Sequence, residues 1–469
     1  MTTASAGTLE QVLARIAQRW SRWNASVRDH PVRPTLSQQE LATRMAAYDF
    51  GRPRGLDETV EDLADLLERG NLHATHPRYF GLFVPGVRAA GVAGDALAAI
   101  YNPQLAAWWH APAAAQVERQ TLAFFRARTG LPESAFACFT SGGSEANLTA
   151  VLSALAARVP GHPENGFGDA RPVLYASDQA HDSFVKIARI AGLGARAIRR
   201  VRSDAGQRLD LGALERMIVT DRAQGETPFL VVATVGTTAT GAVDPLNGIA
   251  DLCRREGLWM HADAAWGGIA LLSTRLRRSA EGLERADSVT WDAHKTLPVP
   301  MGAGMFFARD RRHTDAVFSV RTGYVPDAKP GTLDAYQHTI QWSRRFIGLK
   351  VFLTLAELGR AGVERLIERQ TAMAELLRQE LRASGWTITN ETLLPIVCFV
   401  DERASSSQTS ALARQVADEG RAWISEVRLP DERRWLRACI THADVGPPDV
   451  EALVDALDRA RARLTTEPE

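Results

Sequence analysis

Lysine is almost missing from this chain. Lysine and arginine together number 55, yet only Lys186, Lys295, Lys329 and Lys350 are lysine. The 55 acidic residues balance them to a formal net charge of zero. A neutral chain lacks the basic excess that a phosphate backbone or an anionic membrane surface requires, so neither nucleic acid nor membrane is expected as a partner. Arginine-rich stretches such as "RRWLRACI" and "ALDRARARL" read as solvated faces. Cysteine is scarce too. Cys138, Cys253, Cys398 and Cys439 lie far apart, match no zinc spacing and suggest no disulfide framework. They are expected to be reduced, with two or three of them buried as small apolar residues, and no metal site is expected. No apolar run approaches the ~18–20 residues needed to cross a bilayer. The opening stretch "MTTASAGTLEQVLARIAQRW" has neither a basic nor an apolar signal segment, so the protein is expected in the cytoplasm.

At 469 residues the chain should hold two or three packed units. Residues 1–75 read as helical. "GTLEQVLARIAQRWSRW" puts Leu9, Val12, Leu13, Ile16 and Trp20 on one face, Thr35 or Ser37 is a candidate N-cap for a second helix, and "DETVEDLADLLERG" is a third. Helices this thin need another surface to cover them, such as a second subunit. Residues 76–340 alternate apolar runs of strand length with helices. The runs include "VLYAS" (173–177), "FLVVATVG" (229–236), "LWMHADAA" (258–265), "SVTWDAH" (288–294) and "GAGMFFA" (302–308). That alternation predicts an α/β fold with a mostly parallel sheet covered on both faces, and ligands beyond the carboxyl ends of its strands. Residues 341–469 open on a long helical stretch and continue as short strands and helices, a smaller C-terminal α/β domain.

The polar residues at the predicted strand ends carry the chemistry. Lys295, after a buried strand, must pair, snorkel or react. Arginine stays protonated, whereas a desolvated lysine can lose its proton and attack a carbonyl, so a lysine kept in an arginine-rich chain marks a position where arginine would fail. "FTSGGSEANLTA" (139–150) sets Gly142, Gly143 and Ser144 at a helix start. Its free N–H groups suit a phosphate, and Ser144 as a plain N-cap is the alternative. In "LWMHADAAWGG", Asp263 stands in an apolar strand and needs a cationic partner or a turn to cap. Small Ala265 leaves room for a flat group. His181 and Thr238 end two further strands. Together these features ask for a phosphate-bearing aldehyde with a ring nitrogen, and pyridoxal 5'-phosphate answers each of them.

The motifs "ETVEDLADLLERG", "HPRYFGLF", "TSGGSEANL", "DQAHDSFVKIA", "ATVGTTATGAVDPL", "MHADAAWGG", "DSVTWDAHK", "SRRFIGLKVF" and "LRACITHADVGPPDVEALV" occur in this order. In that order they resemble the group II pyridoxal-phosphate-dependent amino acid decarboxylases, the family of the aromatic-L-amino-acid, glutamate and histidine decarboxylases. The resemblance implies a type I, aspartate aminotransferase-like fold and a homodimer whose N-terminal helices wrap the partner. It implies that Lys295 joins the cofactor aldehyde and Asp263 pairs with the ring nitrogen. Ala265 and His181 would lie against the two ring faces, Thr238 near the ring, and Gly142, Gly143, Ser144, Asp292 and His294 around the phosphate. A loop tyrosine that returns a proton after CO2 leaves would be Tyr336, with Tyr324 the second candidate. Thr296 departs from the tryptophan many members carry.

The expected reaction is α-decarboxylation of an L-amino acid. Tyr79, Phe80, Phe83, Trp108 and Trp109 in the segments that line the family's substrate pocket favour tryptophan, tyrosine, DOPA or phenylalanine. Arg78 leaves an acidic substrate such as glutamate or aspartate open. Rival readings are an oxygen-dependent aldehyde synthase, a transaminase or other lyase on the same fold, and a pyridoxal-binding transcription regulator. The last would need a basic recognition helix that the first 75 residues do not offer.

Overall fold

The computed structural model describes residues 8–320, 322–323, 329–429 and 432–464. Helix α1 (Leu9–Ser26) starts at Thr8, whose hydroxyl accepts the Gln11 N–H while the Gln11 side chain returns to the Thr8 N–H. The same reciprocal cap starts α2 (Gln38–Ala46) at Ser37, not at Thr35. Helix α3 (Leu56–Gly70) lies alongside, tied to α1 by Arg19 on Glu61 and Glu68. Across the three helices only Val12 is buried, and Leu9 and Ile16 stay 61% and 46% exposed. The apolar face predicted for α1 is therefore present and uncovered. Helix α4 (Ala89–Tyr101) likewise leaves Leu97, Ile100 and Tyr101 exposed.

Helix α5 (Pro112–Thr129) leads into a seven-stranded sheet. Its strands are β1 (Phe136–Thr140), β2 (Pro172–Ser177), β3 (Ile198–Val201), β4 (Thr227–Thr234), β5 (Trp259–Asp263), β6 (Ser288–Asp292) and β7 (Gly304–Ala308), in the order β1-β7-β6-β5-β4-β2-β3. Strand β7 is antiparallel to both β1 and β6, and the remaining pairings are parallel. Strands β2, β5, β6 and β7 are buried at every position, as two helical layers demand of their sequence. The predicted apolar runs become strands within a few residues. The edge strand β3, Ile-Arg-Arg-Val, escaped that reading because its two middle side chains are half exposed.

The helix Gly348–Ala383 runs from this sheet to the smaller one and breaks at Gly359, which sits at φ 60°. The smaller sheet comprises β8 (Thr387–Ile388), β9 (Ile396–Val400), β10 (Ser425–Arg428) and β11 (Arg434–Cys439), antiparallel in the order β10-β11-β9-β8. The segment around Phe80 docks on it. Phe80 donates to the Trp423 carbonyl at 2.7 Å and accepts from the Cys439 N–H at 2.6 Å, and its ring lies in the smaller core. All four cysteines are free and buried, where two or three were expected to be buried. Among the described residues no helix is long and apolar enough to cross a membrane, and no acidic, histidine or cysteine cluster could hold a metal.

Candidate active site

The carboxyl ends of β1, β2, β4, β5 and β6 surround one cavity of about 340 Å³, and the turn into β7 closes it. Gly142, Gly143, Ser144, His181, Thr238, Asp263, Ala265, Asp292, His294 and Lys295 all line it. All ten residues expected around the cofactor thus meet at one place.

After β1 the chain turns through Ser141 and Gly142 into helix α6 (Gly143–Arg158). Gly142, not Ser144, is the N-cap, and no side chain caps the first turn. The positive end of α6 thus opens on the cavity, an arrangement suited to an anion. Gly143 is required by crowding. A Cβ there would lie 2.9 Å from Asp292 Oδ2 and 3.2 Å from the Ala265 Cβ.

Asp263, the last residue of β5, is buried. Its Oδ1 accepts the Ala265 N–H at 3.1 Å, and its Oδ2 accepts from Asn147 Nδ2 at 3.0 Å. Two glycines then press the chain back onto the sheet. A Cβ on Gly267 would lie 1.7 Å from the Val235 carbonyl oxygen, and one on Gly268 would lie 2.5 Å from the Trp291 indole. Trp266, between them and the cavity, stacks on Phe83 at 4.2 Å.

Lys295 sits in the single helical turn Ala293–Thr296 that follows β6. Its Nζ is 2.9 Å from Asp292 Oδ2, a carboxylate that is almost fully buried. Of the three readings left open for Lys295, pairing is thus realised, and its partner is the residue expected beside a phosphate. His294 Nδ1 accepts the Ala303 N–H at 3.2 Å, and burial lowers its pKa, so the neutral ring carries its proton on Nε2. His181, after β2, accepts the Ser183 N–H on Nδ1 at 3.1 Å, which likewise leaves Nε2 as the donor. The Thr238 carbonyl accepts from Arg437 of β11, whose other guanidinium nitrogens reach Gly81 O and Ser425 Oγ. The smaller sheet is thereby anchored to the cavity rim.

Other expectations fall elsewhere. Tyr336 does not line this cavity. It is buried on the short turn Ala335–Gln337, accepts from Gln337 Nε2 at 2.9 Å and leans on Trp342 at 4.9 Å. Tyr324 lies outside the described residues. Trp108 and Trp109 are not part of the lining either. Arg78 is committed to the buried Asp449 at 3.1 Å, so it is not available to meet an acidic substrate. The Thr296 hydroxyl turns back onto the Asp292 and Ala293 carbonyls.

The sequence profile of the pyridoxal-dependent decarboxylase conserved domain matches residues 46–401. The chain belongs to the pyridoxal-dependent decarboxylase family. It is 34% identical over 379 residues to the aromatic-L-amino-acid decarboxylase of Bacillus atrophaeus, covering 78% of this chain and 77% of that one. It is equally 34% identical over 414 residues to the human cysteine sulfinic acid decarboxylase, covering 83% of each. Among solved structures, that of mouse CSAD superposes with a TM-score of 0.89 at 27% identity, over 97% of this chain and 99% of that one. The fold of this decarboxylase is thus the type I pyridoxal-phosphate fold. It is a pyridoxal-phosphate enzyme, and its cavity fits that cofactor. Thr234 Oγ1, Ser183 Oγ, Trp266 Nε1 and Asp292 Oδ1 are buried without a protein partner, and all four residues line the cavity. Such groups are costly unless a ligand engages them. Two polar residues at this decarboxylase's site escaped the sequence reading. Asn147, in mid-helix, and His261, in mid-strand, look like ordinary polar positions. Their significance comes only from contacts more than a hundred residues away.

Proposed function

We propose that this decarboxylase removes the α-carboxylate of an aromatic L-amino acid, namely tryptophan, tyrosine, DOPA or phenylalanine, giving the amine and CO2. The carrying observation is the chemistry of the wall. Trp266 backed by Phe83 supplies flat apolar surface, and the described lining contains no arginine to neutralise a second carboxylate. Arg78 and Arg437 are already committed to Asp449 and to backbone carbonyls.

The roles follow from placement. The cofactor would supply an electron sink for the pair left when the C–CO2 bond breaks. Lys295 Nζ would be the amine that holds its carbonyl carbon and yields it to the substrate amine. Asp263 would keep the ring nitrogen protonated. Gly142, Gly143 and Ser144, with Asp292 and His294 beside them, would hold the phosphate region, and Ala265 and Thr238 would bound the ring. His181 would place its Nε2–H over the reacting carbon. Tyr336 is held away from the cavity, so we assign the return of a proton to the α-carbon to Tyr324. The uncovered faces of α1 and α4 support a homodimer, expected in the cytoplasm.

Purified protein supplied with pyridoxal phosphate and a panel of L-amino acids should release the aromatic amines with the highest kcat/KM, and Lys295→Ala should abolish both turnover and the visible cofactor band. A higher kcat/KM for cysteine sulfinate, glutamate or aspartate would overturn the substrate assignment. Aldehyde and peroxide in place of amine would instead identify the oxygen-dependent reaction.

A further inference from the structure

Behind Asp263, a chain of buried polar groups that the decarboxylation scheme does not use leads from the cavity wall at Asn147 into the core. Asn147 Nδ2 donates to Asp263 Oδ2 at 3.0 Å, and Asn147 Oδ1 faces His261 Nε2 at 2.9 Å. His261 Nδ1 faces Ser288 Oγ at 2.8 Å, and Trp259 Nε1 donates to the same Ser288 Oγ at 2.8 Å. The Thr290 hydroxyl touches His261 Nε2 from the side at 3.4 Å. Phe184 packs edge-on to the imidazole, and every member of the chain is buried.

The direction of the bonds is set from the Asp263 end. A carboxylate only accepts, so Asn147 must turn its NH2 to Asp263 and its oxygen to His261. His261 Nε2 must then carry a proton. At the far end an indole N–H only donates, so Ser288 Oγ accepts from Trp259, and its own O–H is left to donate to His261 Nδ1. The imidazole is thus the neutral Nε2–H tautomer, and its complete burial, which pushes the ring down to about 4, agrees with that. A flipped Asn147 amide would set its oxygen against Asp263, and His261 Nε2–H prevents the flip.

We propose that Asn147, His261 and Ser288 are positioning residues that form a one-way relay of donors, locking the Asp263 carboxylate as the acceptor for the cofactor's ring nitrogen. The relay acts on cofactor binding and does not depend on which amino acid is the substrate. Ser288 is the telling member because it does not line the cavity. Without its hydroxyl the imidazole can take either tautomer, Asn147 can flip, and Asp263 loses its fixed donor.

The test is titration of the apoprotein with pyridoxal phosphate in the absence of any substrate. The visible absorbance gives the Kd, and its pH titration gives the midpoint of the bound chromophore. Asn147→Leu should raise the Kd at least about ten-fold, since it deletes a hydrogen bond to a charged group. Ser288→Ala should raise it about three- to ten-fold, and Trp259→Phe less, because the serine hydroxyl can still donate. The midpoint should move in the same rank order. Far-UV circular dichroism and the apoprotein Tm report folding separately. If Asn147→Leu fails to fold, Ser288→Ala decides. A folded Ser288→Ala protein with wild-type Kd and midpoint overturns the proposal, even if its Tm has fallen. Failure of the aromatic substrate assignment would leave these titrations untouched.

Discussion

Gly143→Ala is the smallest change that should disable the cofactor site. The added carbon would stand 2.9 Å from Asp292 Oδ2, 3.2 Å from the Ala265 Cβ and 3.4 Å from Asp292 Cγ. An unstrained contact of this kind is closer to ~3.5 Å, so one side must give by roughly 0.5 Å. Neither side gives easily. Asp292 is about 1% exposed and engages Lys295 Nζ at 2.9 Å, and the Ala265 N–H is bonded to Asp263. The displacement therefore falls on the lysine, the anion-binding turn or both. Overpacking of this size costs about 1–3 kcal/mol, or a factor of about 5 to 150 in affinity if it is borne by the bound state. The assay is titration of apoprotein with pyridoxal phosphate, followed by visible absorbance, with thermal melting of the apoprotein alongside. Gly55→Ala is the control. That Cβ would meet nothing closer than Glu58 at 4.0 Å, and Gly55 already has an ordinary φ of −61°. If Gly143→Ala binds the cofactor within about two-fold of wild type, the crowding argument is wrong.

Tyr336→Phe should leave turnover close to wild type, because its hydroxyl is bonded to Gln337 away from the cavity. Tyr324→Phe should lower amine formation by about a hundred-fold or more in steady-state assays, as expected when a general acid is lost. Burial pushes the Asp244 carboxyl up to about 7 from 3.8. Between those values the folded chain holds a proton that the unfolded chain has released, so this group's stabilisation is present below the lower value and is lost as pH rises to about 7. Urea denaturation between pH 5 and 7.5 should show the wild type losing stability with rising pH relative to Asp244→Asn, and parallel curves would count against it. Leu13→Asp combined with Ile16→Asp should halve the mass measured by light scattering if α1 covers a second copy. An unchanged mass would place the dimer contact elsewhere.

The large sheet was readable because its strands are buried on both faces and so are written in continuous apolar residues. Strands β3 and β10 were not, because half-exposed edges carry charge, as Arg199, Arg200, Glu426 and Arg428 do. The site was readable wherever a residue breaks the local pattern. Lys295 in an arginine-rich chain, Asp263 in an apolar strand and the paired glycines at a helix start all do so. Asn147 and His261 break no pattern, and their meaning is created by the pairing of the α6 and β5 faces. Tyr336 shows what local sequence leaves open. A tyrosine in the right stretch of sequence is turned by the fold against Ala106, Ala107 and Trp342. Length told as little about the cysteines, since a core this large absorbed all four.

The contrast between Gly267–Gly268 and Trp266 bears on how this protein can drift. Substituting either glycine drives a carbon into the Val235 carbonyl or the Trp291 indole, so the turn that follows Trp266 is fixed by close packing on the sheet. Trp266, which stacks on Phe83, and Met301 line the cavity with their side chains, and Met301 is 65% exposed. Such side chains can be exchanged without moving that turn. Specificity in such a protein is a thin and replaceable layer over a tightly packed frame. Equal resemblance to relatives named for aromatic amino acids and for cysteine sulfinate is the expected signature, and overall identity is a poor guide to diet.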